Sequence, residues 1–68
     1  MRNTTKLKAV LQHYHLDLSM NDQELMIINL FHKQTGEAMT FEDLSYSKLI
    51  GKAYSHMNKQ LKEGIKKI

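Results

Sequence analysis

Leu25-Met26-Ile27-Ile28-Asn29-Leu30-Phe31 is apolar at every position except Asn29, and its reading decides the fold. Such a run suits a central β-strand with both faces occupied, but short apolar runs also fit buried helices, so the neighbouring residues arbitrate. On its amino side, Leu16, Leu18 and Met20 alternate with Asp17 and Ser19, as in a half-buried strand. On its carboxyl side, Lys33-Gln34-Thr35-Gly36 reads as a hairpin loop with Gly36 at positive φ. Residues 38–42 then alternate again. With His32 opposite Glu37, Leu30 faces Met39 and Ile28 faces Phe41. Cross-strand partners share a sheet face, so this register builds one coherent apolar surface.

A helical alternative competes for the same residues. Asn21 with Glu24, and Thr40 with Asp43, stand at capping-box spacing, and Met20/Leu25 and Met39/Leu44 are placed to staple those starts. Met39-Thr40-Phe41-Glu42-Asp43-Leu44 before a lysine-rich helix resembles the helix-turn-helix of bacterial regulators, which implies an all-α bundle that binds DNA. Two features oppose it. On a helical wheel Gln23, Glu24, Asn29, His32, Lys33 and Gln34 scatter among the apolar residues. The apolar period also runs unbroken from Tyr46 through Gly51 to Leu61, which leaves no turn before a separate recognition helix.

Helices flank the middle segment. Leu7, Val10, Leu11 and Tyr14 recur at i, i+3, i+4 and i+7 and predict a helix near residues 4–14, with Asn3 or Thr4 accepting at its start. Tyr46, Leu49, Ile50, Ala53, Tyr54, Met57 and Leu61 keep the 3.6 period and predict a second helix over about residues 46–63. Ser45 is its expected N-cap, with Leu44 and Leu49 stapled across it and Gly64 closing it. The expectation is therefore α+β. It is an α-β-β-β-α domain over residues 1–68, a three-stranded antiparallel meander packed on two helices. The expected core is Leu7, Val10, Leu11, Tyr14, Leu16, Leu18, Ile28, Leu30, Met39 and Phe41, completed by Leu49, Ile50, Ala53, Met57 and Leu61. Leu25, Ile27 and Phe31 fall on the opposite sheet face, with no element left to cover them.

Sixty-eight residues bury only about 60% of the surface their unfolded chain exposes, so the stability margin is thin. Small domains offset that with disulfides, a metal or a second subunit. Cysteine is absent, which removes disulfides, thiolate metal sites and thiol catalysis. The polar start, Met1 to Lys8, lacks the apolar stretch of a secretory signal, and Leu25–Ile28, the longest purely apolar run, is too short to span a bilayer. A cytoplasmic protein without a membrane partner is expected.

Charge is unevenly spread. Residues 45–68 carry six lysines against Glu63, a balance of +5, whereas residues 1–44 carry four cations against six acids, a balance of −2. Such asymmetry guides partners and says nothing of fold. Lys48, Lys52 and Lys59 fall on the outward side of the last helix, where lysines can neutralise phosphates. With Ser47-Lys48 and Lys52-Ala53 at the head of its second helix, the α-β-β-β-α order resembles the double-stranded-RNA-binding domain. That resemblance implies duplex RNA as a partner, met by the lysines. The loop which that family inserts into the minor groove falls on Asn21-Asp22-Gln23-Glu24. Here it is acidic and lacks the family's Gly-Pro-x-His pattern.

Nothing in the chain assembles catalysis. There is no Gly-rich phosphate loop, nucleophile elbow or carboxylate pair in an evident pocket. His13 and His15 diverge on a helix, His32 and His56 lie on other elements, and no carboxylate cluster joins them at ligand spacing. No cofactor, metal or small-molecule substrate is expected. The expected function is a non-enzymatic interaction module that self-associates or docks a protein through Leu25, Ile27 and Phe31. The alternative is a nucleic-acid binder using Lys48, Lys52 and Lys59.

Overall fold

The structure is a computed structural model that describes residues 2–66, with side chains described through residue 62. Its elements are α1 (Asn3–His13), β1 (Tyr14–Met20), β2 (Met26–His32), β3 (Ala38–Asp43) and α2 (Tyr46–Lys66). The three strands form an antiparallel sheet in the order β1-β2-β3. This is the α+β arrangement expected from the central run, and it excludes the all-α alternative. Thr40 and Asp43 lie inside a strand and not at a helix start. The register is the expected one, with Leu30 opposite Met39 and Ile28 opposite Phe41.

Both hairpins close on residues with positive φ. Gly36 stands at φ 74°. The His32 amide donates to the Glu37 carbonyl at 2.9 Å, and His32 Nδ1 accepts from the Gln34 and Thr35 amides. The β1–β2 turn is tighter. Asn21 Oδ1 accepts from the amides of Gln23 at 2.9 Å and Leu25 at 3.0 Å, so one short polar side chain organises the turn. The turn closes through Glu24 at φ 65°, a left-handed position normally given to Gly or Asn.

Helix ends differ from expectation in four ways. Arg2, not Asn3 or Thr4, occupies the α1 N-cap, and it makes no side-chain cap bond. Asn3 is already helical, and its Nδ2 donates to Ser47 Oγ at 2.8 Å, tying the starts of the two helices together. Tyr14 leaves the helix to begin β1, because the chain turns straight from one element into the next. At α2, Ser45 does cap, with Oγ accepting from the Lys48 amide. The expected Leu44–Leu49 staple is absent, since Leu44 is 70% exposed while Leu49 is fully buried. The helix also continues through Gly64 to Lys66. Glycine permits a left-handed stop without imposing one, at a cost of about 1 kcal/mol inside a helix.

Both helices lie on the sheet face that carries Ile28 and Leu30. These two join Val10, Tyr14, Leu49, Ile50, Ala53 and Met57 in the buried core. The least dimension of the molecule, 15 Å, is that of one sheet and one helix layer. α2 crosses β2 and β3, and α1 packs chiefly against α2. Leu11, Leu18 and Leu61, expected in the core, are exposed. Lengths explain the exposure of Leu18 and Leu61. At 1.5 Å per residue α1 spans roughly 16 Å, too short to cover a strand of about 23 Å, so the far end of β1 stays open. α2, at roughly 31 Å, overruns the sheet beyond Met57 and carries Leu61 past the core.

Candidate interaction surfaces

The face opposite the helices is set by the two-residue period. Alternation and register place His15, Asp17 and Ser19 of β1, Ile27, Asn29 and Phe31 of β2, and Ala38, Thr40 and Glu42 of β3 on it. Its middle row is polar, with Thr40 Oγ1 donating to Asn29 Oδ1 at 2.7 Å. That row separates two apolar islands. Phe31, 42% exposed, lies between His15 and Ala38. Ile27, half-buried, lies between Ser19 and Glu42. Leu25 precedes β2 and belongs to the pair that closes the turn, with its carbonyl accepting from the Asn21 amide at 3.0 Å. The three residues expected to form one stripe are therefore two strand positions and a turn position.

The lysine row is also altered by its surroundings. Lys52 Nζ lies 3.1 Å from Asp43 Oδ2 and 3.0 Å from the Glu42 carbonyl, so it ties α2 to the end of β3. The Ser45 amide donates to the Asp43 carboxylate at 3.0 Å. That amide first, and the Lys52 ammonium second, hold the Asp43 carboxyl below the ordinary Asp range. Lys48 and Lys59 are exposed, and neither has a side-chain partner among the described residues. Lys67 lies outside the described residues.

One contribution to this side of α2 was not visible in the helical wheel. Lys6 of α1 joins Lys52 and Lys59 around a shallow hollow of ≈ 570 Å³, floored by Tyr54, His56 and Phe41. The hollow opens broadly to solvent. Lys6 reaches it because α1 and α2 run side by side from the Asn3–Ser47 hydrogen bond, a tertiary relation that no spacing within one helix encodes.

The histidines separate. His32 and His56 flank Tyr14, at ring-centroid distances of 5.0 and 6.3 Å, and His56 also packs against Phe41 at 5.6 Å. Burial, and secondarily the Glu37 carboxylate, push the Tyr14 hydroxyl above its ordinary pKa. Among the described residues no group of three His, Asp or Glu side chains is placed to hold a metal ion. Nor is any described helix long and apolar enough to cross a membrane. Comparison of the chain with protein-family models, with curated proteins and with solved structures gives no match.

Proposed function

We propose that this protein is a non-enzymatic interaction module that docks a protein partner through the open face of its sheet. The observation that carries this reading is Phe31, a large aromatic 42% exposed on a sheet face that neither helix covers. An aromatic anchor beside a small residue, Ala38, and ringed by polar groups is the composition of a contact centre with a polar rim. Ile27 supplies a second anchor, and the Asn29–Thr40 pair between them offers directional groups. Leu25 lies at the margin of this surface. The test replaces Ile27 and Phe31 by Lys. The double variant keeps the thermal stability of the parent and loses its protein partner, because the contact would lose both apolar anchors and would have to desolvate two ammonium groups in their place. Retention of every partner by a folded double variant rejects the reading.

A second reading rests on a separate observation, the convergence of Lys6 with Lys52 and Lys59 beside the exposed Lys48. That cluster would engage nucleic-acid phosphates. It is weakened by the engagement of Lys52 with Asp43 and the Glu42 carbonyl. It predicts affinity for duplex RNA or DNA that falls steeply with salt. Replacing Lys48, Lys52 and Lys59 by Gln would lower the salt slope by about one unit for each phosphate no longer neutralised.

A further inference from the structure

We infer that the free edge of β1 pairs with the β1 of a second copy of this chain, antiparallel and centred on Leu18. This surface is distinct from the open face and does not depend on that reading.

The inference starts from the backbone. The His13 carbonyl accepts from Lys33, and the Asn21 amide donates to Leu25, so the hydrogen-bonded pairs of the β1–β2 ladder are those of His15, Asp17 and Ser19. The N–H and C=O groups of Leu16, Leu18 and Met20 therefore point away from β2. The Tyr14 amide is directed at the Val10 carbonyl. Sheet edges are normally blunted by Pro, Lys or a covering element. The β3 edge has such a device, because Lys52 Nζ sits on the Glu42 carbonyl. β1, Tyr-His-Leu-Asp-Leu-Ser-Met, has neither Pro nor Lys. Its helix-side residues Leu18 and Met20 are 43% and 62% exposed.

The strand is most complementary to itself in the register centred on Leu18, since one centred on Ser19 would set Leu16 against the turn residue Asp22. Pairing centred on Leu16 would require the occupied Tyr14 amide and leave Met20 uncovered. Pairing centred on Asp17 would set two carboxylates face to face, a destabilising like-charge pair. Pairing centred on Leu18 joins Leu16 to Met20 of the second copy, Leu18 to Leu18 and Met20 to Leu16. It uses all three free backbone positions and covers both exposed side chains. On the other face it sets Asp17 opposite Ser19, a hydroxyl donor for the carboxylate. It also brings the acidic turn, Asp22 to Glu24, alongside His15 of the second copy. Asp17 thus excludes the register one residue away. So short an interface falls below the roughly 1,200 Å² of stable complexes, so the dimer is a weak one that dissociates on dilution.

Sedimentation of the full chain from roughly 20 µM to 1 mM tests this, the range in which a weak interface titrates. The weight-average mass rises towards twice the monomer, and Leu18→Lys holds it at the monomer without changing the melting temperature. Ile27→Lys with Phe31→Lys leaves the rise intact, which separates this edge from the open face. The chain contains no cysteine, so register can be read by oxidation. Paired residues across such a ladder stand about 5.5 Å apart at Cα, within disulfide reach. Leu18→Cys cross-links to itself, whereas Gln34→Cys does not, and Leu16→Cys joins Met20→Cys in a mixture. A constant monomer mass, a mass rise that survives Leu18→Lys, or self-linkage of Leu16→Cys or Ser19→Cys exceeding that of Leu18→Cys would overturn the inference.

Discussion

Glu24 is the residue at which local conformation and sequence disagree most plainly. Its φ of 65° places a side chain in the left-handed region, at a turn position that glycine occupies without steric cost. Glu24 is exposed, and its side chain has no hydrogen-bond partner among the described residues, so little is lost by removing it. Glu24→Gly should stabilise the fold by about 0.5–1 kcal/mol, net of the greater freedom glycine gives the unfolded chain. Thermal or urea unfolding measures it, and a lower midpoint would mean that the carboxylate has a role in the turn. Asp43 gives a prediction in pH. Its folded pKa is depressed by the Ser45 amide and by Lys52, so its contribution is present above the unfolded Asp value. That contribution is lost as pH falls through the folded value. Asp43→Asn should be less stable than the parent near neutrality, and the gap should close on acidification. A gap that stays constant from neutral pH to pH ~3 would remove the ion pair from the stability of the α2 start.

Among the elements, α2 does most of the covering. Leu49, Ile50, Ala53 and Met57 are buried, and they sit on one side of a helix whose carboxyl end extends past the sheet. Leu49→Ala or Met57→Ala should cost about 2–5 kcal/mol, the range for emptying a buried aliphatic site. In a domain whose total stability is on the order of 5 kcal/mol, either change can unfold it. Leu61→Ala, one turn beyond the core, should cost less than about 1 kcal/mol, because the side chain is already exposed. Equal losses at Met57 and Leu61 would place the end of the core one turn later. The elements were legible where a period or a turn residue fixed them. The register of β2 on β3 followed from Gly36 and the facing apolar pairs, and Ser45 announced the α2 start. What the sequence concealed lies at boundaries and between elements. Tyr14 satisfies the helical period of α1 as well as the strand period of β1, and only the geometry of the turn decides between them. Leu11, Leu18 and Leu61 satisfy their periods too. The exposure of Leu18 and Leu61 comes from the mismatch between helix and strand lengths, which a pattern of apolar positions does not carry.

Among the described residues, the two layers leave one sheet face and the β1 edge without cover. The open face was legible from alternation, since Ile27 and Phe31 must oppose Ile28 and Leu30. Its division by Asn29 and Thr40 required the cross-strand pairing. The lysine row was legible as a stripe, but the engagement of Lys52 with Asp43 and Glu42, and the arrival of Lys6, depend on how α1, α2 and β3 meet. The central claim is that this protein acts through its sheet face and not through its basic helix. It is tested most directly by quantitative affinity capture from the native cell extract, comparing the parent with two folded variants. Ile27→Lys with Phe31→Lys should lose the protein partners, while Lys48, Lys52 and Lys59 replaced together by Gln should keep them, with nuclease treatment making no difference. The reverse result, partners retained by the sheet-face variant and lost by the lysine variant or by nuclease, would contradict it.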